Sequence, residues 1–127
     1  MNKIYKKFFR AGAFSAGLAV ALGAFGAHGL QGSLSPDMIE IYTTGVHYHL
    51  FHSLGILAAA WAYSRWHNRL SKYAGWAFIL GIVLFSGSLY LLAITGIHWL
   101  GFLTPLGGIS FILGWLFLGL STTRADD

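Results

Sequence analysis

The sequence predicts an all-α integral membrane protein, a four-helix bundle with both ends of the chain on the cytoplasmic side. Three observations carry that reading. The 127 residues include only 8 Lys+Arg and 4 Asp+Glu, or 9% charged, against roughly 25% in soluble domains. The apolar fraction is 56% and the mean hydropathy is +0.63. The few charges are also clumped, so that residues 11–36, 41–64 and 73–123 carry none. A membrane-spanning helix needs about 20 uncharged residues, so these windows hold one, one and two spans. A soluble enzyme, a DNA-binding domain and a disordered tail are excluded.

The first span is expected over about 8–27, behind a head carrying Lys3, Lys6, Lys7 and Arg10. A basic head and an apolar stretch also describe a secretory signal, and Ala19-Val20-Ala21 could pass for a cleavage site. The apolar stretch is long for a signal, however, and its small residues are spaced for helix packing. Residues 30–35 read as a turn. Ser35-Pro36-Asp37 then reads as a helix start, with Ser as N-cap, Pro at the first helical position and an acid at the positive dipole end. That helix begins at the interface over about 36–45 and crosses the bilayer over about 46–64. The third span is expected over about 73–96. Thr104-Pro105 repeats the cap-plus-proline start for a fourth span, about 104–120. All four form a single domain, 1–127.

Orientation follows from the cations. Four lie in the N-terminal head, Arg65, Arg69 and Lys72 lie between spans two and three, and Arg124 lies in the C-terminal tail. Spans one and two, and spans three and four, are joined by segments with none. All eight therefore fall on one side, and lysines and arginines concentrate in cytoplasmic loops. The +4 charge thus reports orientation rather than a nucleic-acid partner. Cysteine is absent, which removes disulfides, thiolate ligands and a cysteine nucleophile and leaves the redox compartment unread.

Membrane helices pack through small residues that let backbones approach. Span one has two such stripes. One is Ala13, Gly17, Ala21, Ala24 and His28; the other is Gly12, Ala16, Ala19, Gly23 and Gly26. A helix with two small faces is expected to touch two neighbours. Gly87 and Ser88 in span three, with Gly81 on the Ser88 face, and Gly107, Ser110 and Gly114 in span four serve the same packing role. At 100° per residue, Gly45, Tyr48, His49, His52, Gly55, Ala59 and Tyr63 of span two turn inward. His47, Leu50, Leu54, Leu57 and Trp61 turn toward lipid.

Five of the six histidines lie toward the outer side, and intramembrane ionisable residues are functional candidates by default. His28, His49 and His52, with Tyr48 nearby, form the candidate polar cluster. The plainest reading is a neutral, hydrogen-bonded group that fixes helix register, with His28 paired to His52 across the first two helices. A metal site lacks a carboxylate at that depth, since Asp37 and Glu40 are nearer the surface. Those two acids read as dipole partners facing water, with a cation-attracting mouth as the alternative. Bis-imidazole haem needs facing histidines and a slot for the macrocycle. A proton or solute path is a further alternative, because histidine titrates near neutral pH. No cofactor and no metal is expected. His67 reads as a solvated loop residue, and His98 lies in the second outer turn. Gly23, Gly26 and Gly29 follow no strand and precede no Lys-Ser/Thr, so they are not a phosphate loop. Ser86, Ser88 and Ser110 have no ordered base and acid. Trp66, Tyr73, Trp76, Trp99 and Trp115 read as interface anchors.

The strings themselves carry a resemblance. Gly23-Ala24-Phe25-Gly26-Ala27-His28 resembles the first-helix motif of the small membrane family catalogued as domain of unknown function 423, which has bacterial YgdD- and YwdK-type and animal transmembrane protein 256-type members. Tyr48 and His52 match its Tyr-x-x-x-His element. Leu84-Phe85-Ser86-Gly87-Ser88-Leu89-Tyr90 matches its third-helix string, and Thr104-Pro105-Leu106-Gly107-Gly108 with Gly114-Trp115 its fourth. His47 and His49 match no motif position. The resemblance covers nearly the whole chain and implies a four-span membrane protein, without implying an activity.

The expectation is therefore a non-enzymatic, multi-pass protein of the bacterial cytoplasmic membrane, serving membrane integrity or acting as an accessory subunit. Its partners would be the lipid bilayer and either further copies of itself or a larger membrane complex, with no nucleic acid. The alternatives are a small solute or proton transporter with His28, Tyr48 and His52 lining an outward-facing cavity, and a haem- or metal-binding electron-transfer subunit.

Overall fold

The computed structural model describes residues 3–123, so Arg124, the one cation assigned to the C-terminal tail, lies outside the described residues. The fold is all-α. Helix α1 (Ile4–Phe25) widens into a π-helical turn at Gly26–Leu30, and α2 (Pro36–Trp66) follows. Next come α3 (Arg69–Gly81), a second π-helical turn at Ile82–Ser86 and α4 (Gly87–Thr95), which together make one continuous rod. A 3-10 turn at His98–Phe102 leads into α5 (Leu103–Leu120).

The helix ends show which local signals were used. Ser35 caps α2 as expected: its Oγ accepts the Met38 N–H at 3.2 Å, with Pro36 at the first helical position. Helix α2 stops at His67, which adopts a left-handed conformation (φ 52°), and Asn68 caps α3 through Oδ1 to the Leu70 N–H at 2.7 Å. Gly96, at φ 72°, ends α4, where a left-handed residue without a Cβ costs least. The Thr104-Pro105 signal was misread. Helix α5 starts at Leu103, out of the preceding 3-10 turn, and no side chain caps it. The Thr104 hydroxyl is turned instead to Ser88 Oγ, 2.7 Å away, tying α5 to α4.

Helix α2 is the centre of the molecule, with α1 along one side and the α3–α4 rod along another, while α5 packs on α3. The glycines seat rings more often than they join backbones. Phe78 is held between α2 and α5, where a Cβ on Gly55 would lie 3.1 Å from its ring and one on Gly114 2.6 Å from it. The Phe8 ring covers Gly75 in the same manner, Tyr42 covers Gly26 and Tyr90 covers Gly45, while Gly23 faces the Val46 side chain. Backbones themselves meet at Gly12, against the Ser53 carbonyl, and at Gly107, against Phe85.

One packing expectation fails. The Gly12–Ala16–Ala19–Gly23–Gly26 stripe faces α2, but Ala13, Gly17, Ala21 and Ala24 are exposed. A Cβ at Gly17 would meet nothing within 4 Å. The reason is that α1 packs along α2 and barely meets any other helix, touching the rod at its foot, where Phe8 lies edge-on to Trp76 at 5.4 Å. Gly87 is likewise no packing position, since a Cβ there would meet only the carbonyl of Ile82, at 3.9 Å.

Three stretches are long and apolar enough to cross a membrane: Ile4–Leu30, Arg69–Thr95 and His98–Leu120. Helix α2 is not among them. The two basic segments among the described residues, the N-terminal head and Arg65–Lys72, lie at one end of the molecule. Phe8 of the N-terminal head meets Trp76 beside the Arg69–Lys72 turn, and Tyr73 meets Phe117 near the end of α5, at 5.9 Å.

Candidate functional site

Two histidines are buried, His49 and His52, three positions apart on α2 and turned to different neighbours. His52 is 5% exposed and lies parallel to the Phe111 ring, centroids 3.6 Å apart at 8°. Phe78, Phe51 and Trp115 close around it at 5.6–5.8 Å. Its Nε2 is 3.0 Å from Trp115 Nε1 and its Nδ1 is 2.8 Å from the Tyr48 carbonyl. An indole nitrogen can only donate. Nε2 must therefore be the bare acceptor, and Nδ1 carries the proton and donates it to Tyr48 O. Both partners are satisfied by one neutral tautomer.

His49 faces α1 and α4. Its Nδ1 is 2.8 Å from the Tyr90 hydroxyl and its Nε2 is 3.0 Å from Ser15 Oγ. Ser15 Oγ is also 2.6 Å from Ser53 Oγ, and Ser53 donates to the His49 carbonyl at 2.7 Å. These four contacts fix every proton. A carbonyl accepts only, so the Ser53 proton goes to His49 O. The Ser15 proton must then go to Ser53, which leaves His49 Nε2–H to donate to Ser15 and Tyr90 to donate to Nδ1. A hydrogen-bonded network inside a low-dielectric core is favourable only when fully satisfied. Every buried side-chain nitrogen and oxygen among the described residues does have a partner.

The expected cluster is thus divided. His28 is exposed in the π-helical turn that ends α1 and does not pair with His52. The helix widens there, and Gly26 rather than His28 faces α2, against the Tyr42 ring, whose hydroxyl donates to Leu22 O at 2.6 Å. Tyr48 was expected inside but is 44% exposed; its ring lies on Phe85 at 4.5 Å. His47 is exposed, as expected, and so are His67 and His98. The three residues assigned to an outward cavity therefore do not share one. Tyr48 and His52, with His47, Phe51 and Trp115, line a groove of about 400 Å³ beside α5.

Haem and metal fit poorly. Both ring nitrogens of both buried histidines are already engaged. Among the described residues, no three His, Cys, Asp or Glu side chains lie close enough to hold one ion.

The partners of the histidines were missed in the sequence. Trp115 reads as an interface anchor, and its place five residues before the end of α5 carries no signal against that reading. Ser15 and Ser53 lie on the two facing helices, but nothing local marks them as partners. Of the three serines without an acid–base set, Ser86 donates to Gly45 O at 2.8 Å and Ser110 to Ala77 O at 2.6 Å, while Ser88 meets Thr104.

An apolar helical assembly whose polar side chains are spent on one another defines a class, that of helical membrane proteins. The comparisons narrow it. The family described as "Protein of unknown function (DUF423)" matches residues 22–108. The chain is 45% identical over 120 residues to the UPF0382 membrane protein YwdK of Bacillus subtilis, covering 94% of this chain and 98% of that one. It is 44% identical over 119 residues to a UPF0382 membrane protein of Staphylococcus epidermidis, covering 94% and 97%. A Haemophilus influenzae relative is 36% identical over 121 residues, covering 95% and 97%. No solved structure matches. This chain belongs to the DUF423 family of membrane proteins.

Proposed function

We propose that the chain is a non-enzymatic, four-span protein of the bacterial cytoplasmic membrane that works as an accessory subunit or supports membrane integrity through lateral association. One observation carries this reading. Ala13, Gly17, Ala21 and Ala24 form a stripe suited to close helix packing, and it faces away from the fold. Small residues have no packing value toward lipid, because association there depends on backbone approach. The occupant of the stripe is a second copy or a larger membrane partner.

Helix α2 counts as the fourth span in this reading, with its polar groups satisfied by α1, α4 and α5. Four crossings put both ends on one side, and the gathered cations make that side the cytoplasm. The test is native mass spectrometry of the gently solubilised protein, with Gly17→Leu as the variant. A defined oligomer or stable complex that Gly17→Leu dissolves, with the helices still folded, is expected. A lone monomer, together with no membrane phenotype on deletion, would overturn the reading.

A further inference from the structure

Helix α1 and the α3–α4 rod diverge from their contact at Phe8, leaving a groove of about 700 Å³ between them. Its walls are apolar, including Phe14, Leu18, Val83 and Leu91. From Ile79 to Leu91 it runs about 18 Å along the rod at 1.5 Å per residue. That length suits one extended hydrocarbon chain. Ser15, His49, Ser88 and Tyr90 are the polar residues that line it.

The protons of those residues are all committed. Tyr90 donates to His49, His49 donates to Ser15, and Ser15 donates to Ser53, by the assignment derived above. Ser88 donates to Phe85 O at 2.9 Å, so the Ser88–Thr104 contact is donated by Thr104. What the tyrosine and serine oxygens retain is unspent lone pairs. The polar side chains of the groove can therefore accept a hydrogen bond but have none left to give.

We propose that this groove is a binding site for a lipophilic alcohol, a single hydrocarbon chain carrying a hydroxyl that donates to the Tyr90 or Ser15 oxygen. A ketone, ester or ether of equal length would fill the same walls and find no donor. The proposal does not rest on the accessory-subunit reading, since the groove is lined by this chain alone.

The experiment uses the full chain in phosphatidylcholine nanodiscs, whose lipid has no hydroxyl donor. A photoreactive hexadecanol is cross-linked, and the labelled residues are mapped by mass spectrometry. Hexadecanol, hexadecyl methyl ether and 2-hexadecanone then compete with it. Labelling is expected at Phe14, Leu18, Val83 or Leu91, with hexadecanol displacing the probe at about fivefold lower concentration than the ether or the ketone, the worth of one modest hydrogen bond. Ser15→Ala supplies the second arm. It leaves one proton of the Tyr90–His49 pair unspent whichever tautomer results, so the preference should turn toward the ketone. Val83→Trp, at a position 62% exposed, narrows the groove and should abolish labelling. Equal displacement by alcohol, ether and ketone, or labelling spread evenly over all lipid-facing helices, would overturn the proposal without needing any variant to fold.

Discussion

Gly107→Ala and Gly17→Ala add the same methyl group to two helices long and apolar enough to cross a membrane, and the structure gives them opposite outcomes. At Gly107 the new Cβ would lie 2.7 Å from Phe85 Cβ and 2.8 Å from Phe85 Cα. Comfortable carbon separations are about 3.5–4.0 Å, so α5 and the rod must part by roughly 0.8–1.3 Å. The obstacle is backbone, which has no rotamer to retreat into. Such overpacking costs about 1–3 kcal/mol. The same movement stretches the 2.7 Å Ser88–Thr104 bond, worth about 0.6 kcal/mol more in a membrane. Replacing glycine by alanine returns up to about 1 kcal/mol of helix propensity. The net loss is about 1–3 kcal/mol. At Gly17 only the propensity term operates, because nothing lies within 4 Å, and the variant should be neutral or gain up to about 1 kcal/mol. Equilibrium unfolding of the dilute protein by SDS titrated into mild detergent reads the difference directly. Equal stabilities, or a larger loss at Gly17, would refute the assignment of which small stripe is packed.

The same assay tests the histidine partners. His52→Ala and Trp115→Phe should show a coupling of about 0.6–1.7 kcal/mol in a double-mutant cycle, while His28→Ala should be near neutral and additive with His52→Ala. Coupling between His28 and His52 would mean that the sequence-based pairing was right and the 3.0 Å Trp115–His52 bond was wrong. Topology is open to single-cysteine reporters, because the chain has no cysteine of its own. Lys3→Cys, Ser64→Cys and Thr123→Cys should label from the cytoplasmic side and Ser33→Cys from outside. If Ser33 and Ser64 report the same side, α2 does not cross.

What the sequence disclosed was whatever depends on short-range pattern. Ser35-Pro36 began a helix because a side-chain oxygen and a proline fix that geometry within four residues. Part of the buried face of α2 was legible from angular spacing, with Gly45, His49, His52, Gly55, Ala59 and Tyr63 all buried, but Leu57, assigned to lipid, lies against Gly12 of α1. Tyr48 departs from that face because its ring finds Phe85 at the rim, a neighbour supplied by the rod's π-helical turn. The two stripes of α1 could not be ranked by pattern, since both are small. The choice between them depends on where α2 lies.

The histidine partners were illegible for a related reason. Imidazole offers one donor and one acceptor, and many residues can complement it. Proximity in sequence favoured pairing it with the glycine-rich end of α1. Three-dimensional packing instead brought it Trp115, 63 positions away, and a tyrosine–serine chain reaching across three helices. This also accounts for α2, the helix least marked as a span by apolarity. A central helix flanked on several sides has most of its polar groups answered by neighbours, so it can carry two buried histidines and Ser53 where a lipid-facing helix could not. Low hydropathy in α2 is then the mark of its position in the middle, and the apolar composition of α1, α3–α4 and α5 the mark of theirs at the boundary.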